Sequence, residues 1–403
     1  MIKEIRLTNF YSFKESTIEL STNTNVLIGI NGSGKSNLLK VVRLLMESVS
    51  GMGLKKYVMD VLGGFDNIFF KGEKNTRNEK ESIIIEFVLR GNDISDSKNG
   101  FRFTDDIIYR IELIRLLSGQ NFYVSEKITN EKGFLYLSFT NGIGHLNERV
   151  DSNNKNTKLI RYDDFDSQEL VLKEISDNDR YYALTTLKKA IREIAVYDYF
   201  DTTPKSLIRK PMLPTSDKRL NGDGTNLPQI LNTIKINDKG AYRQILEMLH
   251  EVNEKYSGLD FNFIGGSIEL MIEEEGLNSA VHVSSISDGT LRYLCLLSIL
   301  LNPERGRFIC IDEPEVGLHP DMILNITNAI KEASKKSTLV ISTHSENLLD
   351  QFEIEDIKVF DKDAENSTQV ISHTKDQFEG WYEEFSLGKM WRNGDLSGVR
   401  YGG

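Results

Sequence analysis

Residues 29–36 read Gly29-Ile30-Asn31-Gly32-Ser33-Gly34-Lys35-Ser36, and Asn37 follows. The spacing is G-x-x-x-x-G-K-S, and its chemistry is the holding of a polyphosphate. Glycines let the backbone wrap close to the phosphates. A helix beginning here aims its amide donors and positive dipole end at the charge. Lys35 would reach the β- and γ-phosphates, and the Ser36 hydroxyl would be a Mg²⁺ ligand. The ligand implied is a nucleoside triphosphate with Mg²⁺, cradled by residues from Gly29 to Asn37.

Far downstream, the apolar run Phe308-Ile309-Cys310-Ile311 ends in Asp312-Glu313. A strand buried in a parallel sheet reads this way, delivering carboxylates at its C-terminal edge, where α/β proteins bind ligands. Asp312 would hold Mg²⁺ through its water shell, and Glu313 would orient or polarise an attacking water. Phosphoryl transfer asks mainly for positioning and charge neutralisation, which this set supplies. A further apolar run, Thr338-Leu339-Val340-Ile341, ends in Ser342-Thr343-His344-Ser345, making His344 a candidate γ-phosphate sensor. Ser287, Asp288 and Gly289 precede an apolar, helix-like stretch from Leu291 to Leu301. They read as an N-cap and equally as a second anion-binding helix start.

The flanking pattern supplies elements to carry these groups. Val26-Leu27-Ile28 is a strand leading into the loop, and Asn37 to Val42 a helix leading out of it. Between 82 and 140, strand-like runs separated by polar turns predict an antiparallel meander. Residues 141–180 are polar and acidic and are expected to form an insertion or mobile loop. Helical signals follow at 181–195, from Asn226 onward and at 242–252. Pro204, Pro211, Pro214 and Pro228 share a stretch with Lys205, Arg209, Lys210, Lys218 and Arg219. That stretch is either a solvated loop or a surface for nucleic acid or a partner.

Composition bounds the rest. The 403 residues are 39% hydrophobic and 27% charged, as in an ordinary globular protein. No run approaches the ~20 apolar residues that a spanning helix needs. The N-terminus alternates like a strand and lacks the apolar core of a signal peptide, so the expectation is a cytoplasmic protein with no membrane partner. Cys295 and Cys310 sit in apolar runs and suit buried reduced thiols, with a single pairing left open. No C-x-x-C occurs, which rules out a zinc site built on one. A net charge of −11 argues against reliance on non-specific DNA contact, although a local basic patch would suffice.

Taken together, the motifs resemble those of the ATP-binding-cassette (ABC) type ATPases of chromosome maintenance and repair. That group includes RecF, the structural-maintenance (SMC) proteins and the overcoming-lysogenization-defect (OLD) ATPases, which belong to the AAA family of predicted ATPases. Residues 5–13 look like the group's first strand and turn, and Ser287-Asp288-Gly289-Thr290 like its signature. Asp312-Glu313-Pro314-Glu315 with Gly317-Leu318-His319-Pro320 look like Walker B and the D-loop, and Ser342 to Ser345 like the switch-histidine motif. The resemblance covers roughly 1–72 and 280–350. It implies an α/β P-loop head with a mixed or parallel central sheet, an antiparallel β layer and a helical insertion. It also implies a homodimer with ATP sandwiched between two heads. Lys35, Ser36, Asp312, Glu313 and His344 would act in cis, and Ser287 and Gly289 in trans. A Q-loop glutamine is missing: neither Gln120 nor Gln168 has the right context, and residues 62–72 are a candidate for the same space. Tyr11 is a candidate for stacking on adenine.

On this basis the chain divides into an N-terminal lobe (1–140), a helical insertion with the basic segment (141–265), a C-terminal lobe (266–360) and a tail (361–403). The absence of long heptads argues for a compact head, and the tail is too short for an appended nuclease. The leading expectation is an ATP-hydrolysing dimeric switch in DNA repair or anti-phage defence. It would control a separately encoded effector such as a Toprim-type nuclease, with DNA as a possible further partner. The alternatives are a non-catalytic ATP-dependent scaffold or clamp and, with the poorest fit, a transporter subunit.

Overall fold

A computed structural model describes residues 1–72, 81–98, 100–116, 121–151, 154–378 and 386–396. The motifs converge on a six-stranded sheet, ordered Ile194–Tyr197, Phe308–Asp312, Thr338–Ser342, Thr24–Gly29, Ile357–Lys362 and Thr368–Ser372. All neighbours are parallel except the last pair, which is antiparallel. The inner strands are nearly continuous apolar runs because both faces are covered. Val26, Ile28, Ile309, Ile311, Leu339 and Ile341 face one core, shared with helices Leu227–Asn237, Asp288–Leu300 and Pro320–Ser334. Leu27, Phe308, Cys310, Val340 and Phe360 face the other, shared with helix Lys35–Ser50 and a second sheet. Cys310 and Cys295 therefore lie in different cores, and both are free thiols.

The second sheet has eight strands, in the order Asn154–Tyr162, Ile143–Asp151, Leu135–Thr140, Phe122–Asn130, Ile107–Arg115, Ser82–Leu89, Ile2–Phe10 and Phe13–Glu19. The meander expected over 82–140 is present, and of the two alternatives for 141–180, an insertion or a mobile loop, the loop does not hold for its first part. That part continues the sheet as the hairpin from Ile143 to Tyr162. Hydropathy hid this hairpin because its inward polar group is satisfied rather than replaced. Buried Glu148 accepts a 2.5 Å bond from Arg180 Nε and a 3.1 Å bond from the Tyr181 hydroxyl.

The segment 182–252 holds helices Tyr182–Ile191, Leu227–Asn237 and Lys239–Val252. It also lends the central sheet its edge strand Ile194–Tyr197, which four residues were too few to announce. A hairpin, Tyr256–Ile264 with Ser267–Glu274, turns through Gly265 and Gly266, both at positive φ. Among the described residues no helix is long and apolar enough to cross a membrane.

Candidate nucleotide site

The phosphate loop leaves a fully buried strand, Thr24–Gly29, and enters the helix Lys35–Ser50. Gly29, Gly32 and Gly34 have φ of 148°, 80° and 113°. Gly29 has a second constraint: a Cβ there would collide with the Phe360 carbonyl of the neighbouring strand. The helix N-cap is Gly34, so no side chain caps the first turn, where the Asn37 N–H turns back to the Gly34 carbonyl at 3.0 Å. Lys35 is buried, and its Nζ donates to the Gly29 and Ile30 carbonyls at 2.8 and 3.3 Å. Burial pulls its pKa down to about 8 against the opposing pull of Glu313, Asp312 and Glu315. Ser33 Oγ is buried without a hydrogen-bond partner, whereas Asn31, Gly32 and Ser36 are exposed. A cradle of left-handed glycines, uncapped amides and a desolvated lysine fits a polyphosphate.

The loop is braced from outside its own motif. Fully buried Thr368 places its hydroxyl 2.6 Å from the Ser33 carbonyl and 2.8 Å from Ser12 Oγ. Asn37 Nδ2 donates to the same Ser12 oxygen at 3.0 Å. A Cβ on Gly34 would lie 2.5 Å from Thr368 Oγ1. Neither Ser12 nor Thr368 carries a sequence signal for this role.

Strand order puts the switch strand between the carboxylate strand and the phosphate-loop strand, with Ser342 opposite both Asp312 and Leu27. The Ser342 hydroxyl donates to Asp312 Oδ1, orienting that carboxylate at the sheet's C-terminal edge. Glu313, just beyond, has φ of 45°, a left-handed conformation costing a non-glycine residue roughly 1–3 kcal/mol. It is held there by its N–H donating to the Ser342 carbonyl at 3.1 Å. Its Oε1 lies 3.5 Å from His344 Nε2. Glu315 ties the two loops together, its Oε1 accepting from Thr343 Oγ1 and from the His344 N–H, both at 2.8 Å. Its Oε2 is buried without a partner, and burial raises its pKa. The structure thus gathers Lys35, Asp312, Glu313 and His344 at one sheet edge, and adds Ser342 and Glu315, which the motif strings contained without a role.

The signature residues have other neighbours. Ser287 caps helix Asp288–Leu300, its Oγ accepting from the Thr290 N–H at 3.1 Å. Asp288 pairs with Arg209 at 2.5 Å, and a Cβ on Gly289 would lie 2.8 Å from the Gly317 carbonyl. Within the basic segment, read as a solvated loop or a binding surface, Arg209 is neither solvated nor available to a partner. It is buried, donating from Nε to the Thr202 carbonyl at 2.8 Å and from Nη1 to those of Val283 and Ile286, both at 2.7 Å. Arg219 likewise turns to the Glu304 and Arg192 carbonyls and to Glu193. Two of the five basic residues are structural, and Lys205, Lys210 and Lys218 are exposed. Tyr11 is half-buried near the loop at φ of 48°, with Lys40 Nζ 4.7 Å from its ring centre. The 62–72 stretch packs under the first strand, where the Ile68 carbonyl accepts from the Tyr11 N–H and the Asn9 carbonyl from that of Phe70. Gln168 spends its amide on the Phe122 carbonyl at 3.0 Å. Gln120 lies outside the described residues.

Residues 24–350 match the family described as "AAA domain, putative AbiEii toxin, Type IV TA system". The chain belongs to this family. Within curated proteins, this AAA-domain chain is 23% identical over 406 residues to an "ATP/GTP phosphatase" of Helicobacter pylori, with 93% of each covered. It is 29% identical over 136 residues to the DNA double-strand break repair Rad50 ATPase of Sulfolobus acidocaldarius, covering 33% of this chain and 14% of that protein. It is 39% identical over 69 residues to the replication and repair protein RecF of Caldanaerobacter subterraneus, covering 17% and 18%. The chain thus spans under a fifth of the Rad50 and RecF relatives. The fold is that of an SMC head. A head bound to the C-winged helix domain of ScpA superposes with a TM-score of 0.57 at 13% identity, covering 93% of this chain and 99% of that one. A Pyrococcus furiosus head, bound to the C-terminal domain of ScpA, gives 0.57 at 14%, covering 95% and 98%. The family, the relatives and the fold place the chain among the ABC-type ATPases of the RecF/SMC group.

Proposed function

We propose that this head binds ATP with Mg²⁺, hydrolyses it, and dimerises around it as a switch. The observation that carries the reading is the single sheet edge holding Lys35 on its loop, Asp312 oriented by Ser342, and Glu313 within 3.5 Å of His344. Lys35 would take the β- and γ-phosphates with the loop amides, exchanging its two carbonyl partners for phosphate oxygens. Ser36 and Asp312 would hold Mg²⁺, which when bound supplies charge neutralisation and orientation of phosphate oxygens. Glu313, fixed by its strained backbone, would orient the attacking water, and His344 would sense the γ-phosphate. Ser287 and Gly289 would complete the partner head's site in trans, which their distinct set of neighbours in this chain allows. The H. pylori relative's name supports hydrolysis, and the repair relatives support a role in DNA metabolism. The toxin–antitoxin wording of the family supports the defence role; a separately encoded effector nuclease and a cytoplasmic location belong to the same proposal.

The test compares ATP turnover by the wild-type chain with that of Glu313→Gln, measured with and without Mg²⁺ and duplex DNA. The expected result is slow Mg²⁺-dependent turnover that the substitution abolishes while ATP binding persists. The Glu313→Gln protein should also double in mass on adding ATP, unless Ser287 is replaced by arginine. Equal, negligible turnover in both proteins would sink the enzyme reading and favour an ATP-dependent scaffold.

A further inference from the structure

No motif marks the C-terminal helix Leu387–Asn393, yet it reaches the candidate site. Its Trp391 is only 1% exposed, and the indole lies 6.3 Å from the His344 ring, tilted by 39°. This indole and the Glu313 carboxylate at 3.5 Å are therefore both neighbours of the His344 ring. The helix is fastened to Glu346–Leu349, the short helix that begins two residues after His344. The Gly388 N–H donates to Asp350 Oδ1 at 2.6 Å. Arg392 donates from Nε to Glu346 Oε1 at 3.0 Å and from Nη2 to Oε2. A Cβ on Gly388 would sit 2.9 Å from the Glu346 carbonyl oxygen and from Asp350 Oδ1, so this close approach needs glycine. Past the helix, the Leu396 carbonyl is 3.0 Å from His373 Nε2. A helix of seven residues does not persist alone in water, so docking is what orders it.

We infer that Trp391 is a positioning residue that holds the His344 ring toward Glu313, and that the helix carrying it sets the rate of ATP turnover. The inference rests on the ATPase reading above. An imidazole free to rotate spends most of its time out of register with Glu313, whereas one packed on a buried indole does not. Lifting the helix would take this packing face away from His344 and leave the phosphate loop, braced separately by Thr368, in place. The signature of that arrangement is a loss of kcat without a loss of nucleotide affinity.

The experiment uses the full chain with three substitutions. Trp391→Leu removes the ring, Gly388→Val displaces the helix without touching Trp391, and Trp391→Phe keeps an aromatic face. The first two should lower kcat at least about tenfold, as misplacement of a catalytic group does, with the KM for ATP changed less than about twofold. Trp391→Phe should retain most of the turnover. Full kcat in both Trp391→Leu and Gly388→Val would overturn the inference, as would kcat and KM collapsing together in all three. The chain's tryptophans are Trp381 and Trp391, so Trp381→Phe leaves Trp391 as the sole indole reporter. Its emission should change when His344→Ala is added, and unchanged emission would refute the contact. This second arm needs no turnover. If wild type and Glu313→Gln prove equally inactive, the rate claim falls with the ATPase reading, and the emission arm still decides whether the indole holds the imidazole.

Discussion

Replacing Thr368 with valine removes one hydroxyl at nearly constant shape, so it reads out the brace on the phosphate loop. The hydroxyl has one proton. Committed to the Ser33 carbonyl at 2.6 Å, it leaves the 2.8 Å contact with Ser12 to be donated by Ser12, which in turn accepts from Asn37. The chain runs Asn37, Ser12, Thr368, Ser33, and valine cuts it in the middle. At Ser33 a carbonyl loses its buried donor, at about 1–3 kcal/mol for an orphaned group. Ser12 loses one of two partners, a smaller cost, so roughly 2–3 kcal/mol is expected in urea unfolding. If the brace is what keeps the loop in its binding conformation, part of that loss returns as a binding penalty. Each 1.4 kcal/mol of it is about tenfold in Kd. A fluorescent ATP analogue should therefore bind Thr368→Val about ten- to a hundredfold more weakly, and Thr368→Ser should restore both stability and affinity. A protein that unfolds more easily but binds ATP like wild type would show that Thr368 holds the edge strand and not the loop. No change in either would refute the hydrogen-bond argument itself.

Two further outcomes follow from buried charge. Arg209→Lys cannot reproduce a planar fork donating to the Thr202, Val283 and Ile286 carbonyls, so at roughly 1–3 kcal/mol per orphaned buried acceptor it should cost 3 kcal/mol or more. The Asp288 pair adds little because that carboxylate is half-exposed; a urea midpoint unchanged in Arg209→Lys would contradict this accounting. Glu126 is buried, accepts from the Tyr109 hydroxyl and the Val171 N–H at 2.7 and 2.6 Å, and burial raises its pKa to about 7. The folded state then holds a proton that the unfolded chain has released, so stability should fall as pH rises from the ordinary carboxylate range to about 7, by on the order of 3 kcal/mol. Glu126→Gln removes that slope whatever its fixed offset, and parallel stability–pH curves for the two proteins would disprove the assignment.

The elements that carry the chemistry were legible because their signals are local. A glycine loop between an apolar strand and a helix, and apolar runs ending in carboxylates or a histidine, are contiguous statements about backbone shape and burial. The hairpin from Ile143 to Tyr162 was not legible, since Glu148 solves its burial with hydrogen bonds from Arg180 and Tyr181 instead of with apolar side chains. The inward turn of Arg209 was illegible for the opposite reason: charge counts cannot tell which basic side chain caps backbone carbonyls.

Sequence alone, then, determined which groups could do the chemistry and the family they resemble, because loop conformation and strand burial are set by near neighbours along the chain. Only the tertiary structure decided what holds those groups. Ser342 meets Asp312 through parallel strand register, Thr368 meets Ser33 across the last strand pair, and Trp391 meets His344 through a docked helix. Each contact joins segments distant in sequence, and its geometry follows from sheet order and packing, which no short window of residues encodes.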